Sequence, residues 1–211
     1  MAVSTDRYRT VARAGSAEIE AKRSRFLGHV ERVETEDDAR AVVERIRRQR
    51  WDARHHCSAF VLGPAGDVQR SNDDGEPSGT AGAPMLEVLR GREVSDVVAV
   101  VTRYFGGVLL GAGGLVRAYS DAVRAALDDA GLVERRLLQL VDVVADHADA
   151  GRLENDLRAR DVLVRGVDYA ERATLHVAVP DGGLAELAGV LAELTGGTAV
   201  TEPAGSAWMD R

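Results

Sequence analysis

Residues 97–101 read Val-Val-Ala-Val-Val, an unbroken apolar run dominated by β-branched side chains. Such a run has no polar face to turn towards water, so it predicts a strand covered on both sides, at the centre of a sheet. Close behind it come Gly106, Gly107, Gly111, Gly113 and Gly114. A helix pattern follows, in which Val116, Tyr119, Val123, Leu127 and Ala130 share one face and Gly131 supplies a stop. A buried strand, a glycine-rich turn and a long amphipathic helix therefore form the centre of the first domain, which closes at that glycine.

The rest of the chain can be placed around that centre. Alternation around Glu18–Ala21 and again around Phe26, Gly28 and Val30 predicts a hairpin over 17–33. Thr35 and Asp38 are spaced for a capping-box-like start, and Ala39, Val42, Val43 and Ile46 carry a helix to about Trp51. A short strand is expected over 58–62 with a turn at Gly63, Pro64 and Gly66, an ordered loop over 71–82, and a short helix from Pro84 to Leu89. The final third reads strand (138–144), helix (149–160), strand (162–170), strand (172–179), helix (181–194) and strand (198–202). That βαββαβ order predicts a ferredoxin-like plait with helices on one face of an antiparallel sheet. At 211 residues the chain is expected to form two domains, 1–133 and 134–211, both α+β.

Charge distribution limits where a polyanion would bind. The net charge is −7, but residues 1–133 hold 19 basic and 20 acidic side chains, a net of −1, whereas 134–211 hold 8 and 14, a net of −6. Any such site belongs to the first part. Lys22 is the only lysine, a bias that an arginine-favouring codon usage explains. No apolar run approaches the roughly 20 residues of a bilayer span, and the opening MAVSTDRYRT lacks the apolar core of a signal peptide. Cytoplasmic residence without membrane association is expected, and the lone Cys57 fits a reducing compartment.

Several groups are candidates for chemistry, each with a structural alternative. Glycines before a helix let a phosphate approach the backbone at the positive helix end, with Arg103 and Arg117 flanking it; equally, they serve tight packing and positive-φ turns. Asp73, Asp74 and Glu76 suit either metal or base chemistry, or turn formation and helix capping. His55, His56 and Cys57 suggest a nucleophile and base, yet adjacent strand residues face opposite ways, so Cys57 reads as a core residue and no zinc spacing is present. No metal site and no cofactor are expected. Lys22, Arg23 and Arg25 beside Phe26 are either a solvated strand face or, with Arg54, Arg103 and Arg117, a basic face on which Tyr104 and Phe105 stack bases. His147 and His176 read as ordinary sheet or surface residues.

The strings KRSRFLGHV (22–30), DARHHCSAFVLG (52–63), DDGEPSGTAGAPML (73–86) and VVAVVTRYFGGVLLGAGGLVRAYSDAV (97–123) resemble the YigZ/IMPACT family, in the same order and over essentially the whole chain. The resemblance implies a first domain like domain 2 of ribosomal protein S5 and a ferredoxin-like second domain. It also implies a link to translation without an established catalytic activity. The leading expectation is a non-enzymatic protein that binds RNA or the ribosome through Lys22, Arg25, Arg54, His55, Arg103, Tyr104, Phe105, Gly106, Gly107, Gly111, Gly113, Gly114 and Arg117. On this expectation Arg103 and Arg117 can be replaced without loss of the fold. The alternatives are an enzyme handling a phosphate-bearing ligand, as in small-molecule kinases of similar fold, and an interaction module acting through the acidic second domain. The absence of serine among Gly111–Leu115 speaks against the kinase.

Overall fold

A computed structural model describes residues 6–211. The chain divides into two units, Met1–Glu134 and Arg135–Arg211. The first contains β1 (Arg7–Val11), β2 (Gly15–Ala21), β3 (Ser24–Arg32), α1 (Glu36–Gln49), β4 (His55–Leu62), β5 (Val68–Asn72), α2 (Gly82–Gly91), β6 (Val97–Tyr104) and α3 (Ala112–Ala130). Its sheet runs β2-β3-β6-β4-β5 with antiparallel neighbours, so the valine run lies in the middle strand as its composition requires.

The two faces of β6 feed two cores. Val98 and Val100 join Phe60 and Leu62 under Ala39, Val42 and Ile46 of α1. Val97, Ala99 and Val101 join Phe26, Val30 and Cys57 under α2 and α3. Helix α3 lies so close to the hairpin that a Cβ on Gly15 would come 2.5 Å from the Ala126 carbonyl oxygen, and one on Gly28 would overlap the Ala122 carbonyl. The buried face of α3 takes in Tyr119, Val123, Leu127 and Ala130, but Val116 sits at its margin and is exposed.

Local signals acted largely as their chemistry dictates. The Thr35 hydroxyl accepts the Asp38 N–H at 3.1 Å to start α1, which ends at Gln49 and leaves Trp51 in solvent. Strands β1 and β5 were not anticipated, and β4 begins at His55 instead of Ser58. β5 pairs only with β4 and carries mostly exposed polar side chains, so it needs no apolar period to form. Ser71 and Asn72, expected in the loop, are its last two residues.

The second unit completes β7 (Leu132–Ala145), which begins before the boundary, and adds α4 (His147–Ala159), β8 (Leu163–Tyr169), β9 (Ala173–Pro180), α5 (Leu184–Thr195) and β10 (Val200–Asp210). Strand order β10-β7-β9-β8, antiparallel throughout, is the ferredoxin-like arrangement expected from the βαββαβ pattern. Strand β10 runs eight residues beyond its expected end at 202, carrying Trp208 opposite Leu137. Leu153, Leu157, Leu175, Val177, Leu187 and Leu191 fill the core beneath α4 and α5. Among the described residues no helix is long and apolar enough to cross a membrane.

Candidate nucleic-acid interface

Strand register brings several of the candidate residues to one end of the first sheet. Arg25 lies opposite Tyr104, and Arg103 lies between Phe26 and His55, so the start of β3, the start of β4 and the end of β6 meet there. The β2–β3 connection is a two-residue turn, Lys22 and Arg23, with φ of 46° and 65°. This is the left-handed geometry that matches hairpin twist, here adopted by residues other than glycine.

The glycine-rich loop seats on that turn. The Gly106 N–H donates to Ser24 Oγ at 3.1 Å, and a Cβ on Gly106 would overlap the backbone of Arg23, so only glycine permits the approach. Lys22 Nζ reaches the Leu109 carbonyl at 3.4 Å. Gly107 and Gly111 have φ of 81° and 74°, and Gly111 begins α3 without a side-chain cap. The loop thereby presents Phe105, Val108 and Leu109 outwards, with Phe105 53% and Leu109 81% exposed. Gly113 and Gly114 lie in the first turn of α3, where a Cβ on Gly113 would meet nothing within 4 Å. Packing thus explains Gly106, and turn geometry explains Gly107 and Gly111.

Not every expected cation is available. Arg103 is a correction: it is buried, its Nη1 pairs with Glu76 Oε1 at 2.7 Å, and its guanidinium lies 5.4 Å from the Phe26 ring and 5.6 Å from the Phe105 ring. The reason is strand parity, since Arg103 follows Val97, Ala99 and Val101 on the face covered by α3. Arg25 is engaged by Glu18 at 2.6 Å and lies 5.6 Å from the Tyr104 ring. Tyr104 donates to Asp52 Oδ1 at 2.9 Å, so it is tied into the sheet end instead of standing free. Arg117 is exposed on the outer side of α3, away from the buried stripe. Lys22, Arg23 and Arg54 remain exposed at the sheet end.

A buried polar network supports this end from within. Glu76 Oε1 accepts from both Arg103 and Tyr119 Oη, each at 2.7 Å, and the Cys57 thiol lies 3.3 Å from that hydroxyl and 3.0 Å from the Asp73 carbonyl oxygen. Burial pushes the Cys57 thiol up to about 12, which makes it a core group and not a thiolate nucleophile. Burial likewise raises the Tyr119 hydroxyl far above its ordinary value. The acidic loop is built by turn and capping chemistry. Asp73 accepts from the N–H groups of Gly79, Ala81 and Gly82 at 2.8, 3.1 and 2.8 Å, which outweigh the effect of burial and hold its carboxyl below the usual range. Asp74 binds Arg47 at 2.9 Å and the His56 N–H at 2.6 Å, while its carbonyl lies 2.9 Å from His55 Nδ1. Among the described residues no His/Cys/Asp/Glu group has metal-binding geometry. The Glu76–Tyr119–Arg103 network was missed in the sequence, although the parity of Arg103 with the buried valines was its available signal.

A two-unit α+β protein with a solvent-facing glycine loop and a plait behind it in sequence is the class these features define. Residues 22–127 match the Impact N-terminal domain, and residues 143–198 match a domain of unknown function, DUF1949. The chain belongs to the IMPACT family. It is 45% identical over 190 residues to IMPACT family member YvyE of Bacillus subtilis, covering 90% of this chain and 88% of that protein. IMPACT family member YigZ of Escherichia coli is 39% identical, with 85% and 89% covered. A crystal structure of a hypothetical protein superposes with a TM-score of 0.63 at 35% identity, covering 93% and 96% of the two chains.

Proposed function

We propose that this IMPACT-family chain is a non-enzymatic protein that binds single-stranded RNA, including RNA exposed on the translation machinery, through the sheet end formed by the β2–β3 turn and the glycine-rich loop. The observation that carries this reading is Phe105, half exposed with the Arg103 guanidinium 5.6 Å from its ring, next to Gly106, whose backbone seats on the cationic turn of Lys22 and Arg23. Aromatic faces stack unpaired bases without strong sequence preference, and neighbouring cations follow the phosphates. The uncapped N–H groups at the start of α3 add a phosphate-compatible end within the same loop. Arg54, immediately before β4, extends the cationic edge, whereas Arg25 and Arg103 organise it from their ion pairs.

Fluorescence anisotropy with a labelled single-stranded RNA tests the proposal. Saturable binding that is lost in a Lys22→Glu/Arg23→Glu double variant of unchanged fold supports it. Equal binding by the two proteins contradicts it.

A further inference from the structure

On the sheet face opposite α3, helix α1 and strands β4 and β5 enclose a cavity of about 450 Å³. That volume falls within the range of small-ligand sites. Its walls combine an apolar part, Ala39, Val43 and Phe60, with His56, Ser58 and a mixed charged rim in which Arg40, Arg47 and Arg70 outnumber Glu36 and Glu44. Alternate residues His56, Ser58 and Phe60 place the imidazole at one end and the ring at the other, with Ser58 opposite Asn72 and Phe60 opposite Arg70.

His56 supplies the reason for a ligand. The residue is 4% exposed, and its Nε2 has no hydrogen-bond partner among the described residues. Its Nδ1 lies 3.1 Å from Thr102 Oγ1, and Thr102 is 0% exposed. The Thr102 hydroxyl has no other side-chain partner among the described residues and can donate to Nδ1; in that tautomer the neutral ring carries its own proton on Nε2. Burial disfavours the imidazolium, which agrees with that neutral form. In that tautomer the unpaired group behind this wall is an N–H donor that a small shift of the wall would bring to the groove, and a buried donor calls for an acceptor.

We propose that this groove binds a small organic oxyanion, a phosphomonoester or a carboxylate, with an oxygen accepting from His56 Nε2 and the apolar body against Val43 and Phe60. Ser58 is a second donor beside the imidazole. Arg40 and Arg70 guard the far end with side chains 65% and 63% exposed; Arg70 approaches Glu36 only at 3.8 Å, whereas Arg40 is paired with Glu36 at 2.7 Å and Asp37 at 2.8 Å. Exposed pairs of this kind are weak enough for the arginines to turn towards an anion. Arg47 is instead fixed by Glu44 and Asp74, at 2.8 and 2.9 Å, and shapes the His56 end. The site uses neither the β2–β3 turn nor the glycine loop, so it stands apart from RNA binding.

Nitrogen-15 NMR of the histidine rings in the full chain reads this directly, with inorganic phosphate, a nucleoside monophosphate and citrate as probes. The expected result is a saturable shift of His56 Nε2. A shift with the phosphate-bearing probes marks a phosphate site and a shift with citrate a carboxylate site, and either upholds the assignment. Arg70→Glu, an exposed change that leaves the core intact, should weaken the binding roughly tenfold, and Ser58→Ala should weaken it in the same direction. No saturable shift with any probe overturns the proposal. So does affinity unchanged in both variants, or perturbation confined to residues 105–117, which would move the anion to the start of α3.

Discussion

Arg103 and Glu76 form a buried ion pair, 2.7 Å from Nη1 to Oε1, with side chains 8% and 3% exposed. Removing either partner strands a charge in the core, which costs about 3–5 kcal/mol, whereas replacing both by apolar residues of similar volume costs far less than the sum. Urea unfolding of Arg103→Met, Glu76→Leu and the double variant should show that non-additivity. The buried pair adds a stability cost to the expectation that Arg103 can be replaced without loss of the fold, and RNA affinities of Arg103 variants are interpretable only beside their stabilities.

The loop glycines should separate by mechanism. Gly106→Ala pushes a Cβ into the Arg23 backbone, so it should displace the loop and weaken RNA binding together with stability. Gly107→Ala meets no atom within 4 Å but must hold a φ of 81°, at a cost of about 1–2 kcal/mol. Comparing amide shifts of residues 22–25 in the two variants distinguishes the cases, because only the first substitution should move the turn.

These contrasts show how far the sequence could be read. The middle strand, the α3 stripe, the α1 cap and the βαββαβ order are periodic or local signals, and each was legible from neighbouring residues. Strand β5 was not, because Gln69, Arg70, Ser71 and Asn72 are stabilised by ladder bonds to β4 and not by a buried face. The basic cluster was legible only as composition. Arg25, Arg54, Arg103 and Arg117 look alike in one dimension, and their fates diverge through Glu18, which lies seven residues from Arg25, and Glu76, which lies 27 residues from Arg103. His56, read in sequence as a candidate base beside Cys57, acquires its meaning from Thr102 on the central strand.

Cys57 should resist thiol reagents in the native state, since its thiol is fully buried and pushed up to about 12. Labelling should proceed at the rate of transient opening and accelerate with urea. Fast labelling in buffer alone would restore a reactive thiol to consideration.

Two histidines should give opposite pH dependences. His176 donates to Asp168 at 3.0 Å and to Asp142 at 2.6 Å, and these two carboxylates raise its pKa above the ordinary 6.5. Its contribution is therefore complete below that value and fades as pH rises through the folded-state pKa. His56, lowered by burial, contributes in the other sense: fully above 6.5 and less as pH falls below it. The stability difference between the wild type and His176→Gln should shrink with rising pH, as followed by urea unfolding across the range; a difference that grew would contradict the assignment.

The most direct measurement of the central claim is a map of amide chemical-shift changes on adding single-stranded RNA to the full chain. The account predicts perturbations clustered at residues 22–25, 54–55 and 104–111 that weaken as salt rises, by about 0.7 log units of affinity per log unit of salt for each phosphate neutralised. Perturbations confined to residues 135–211, or none at concentrations that saturate other single-strand binders, would contradict it.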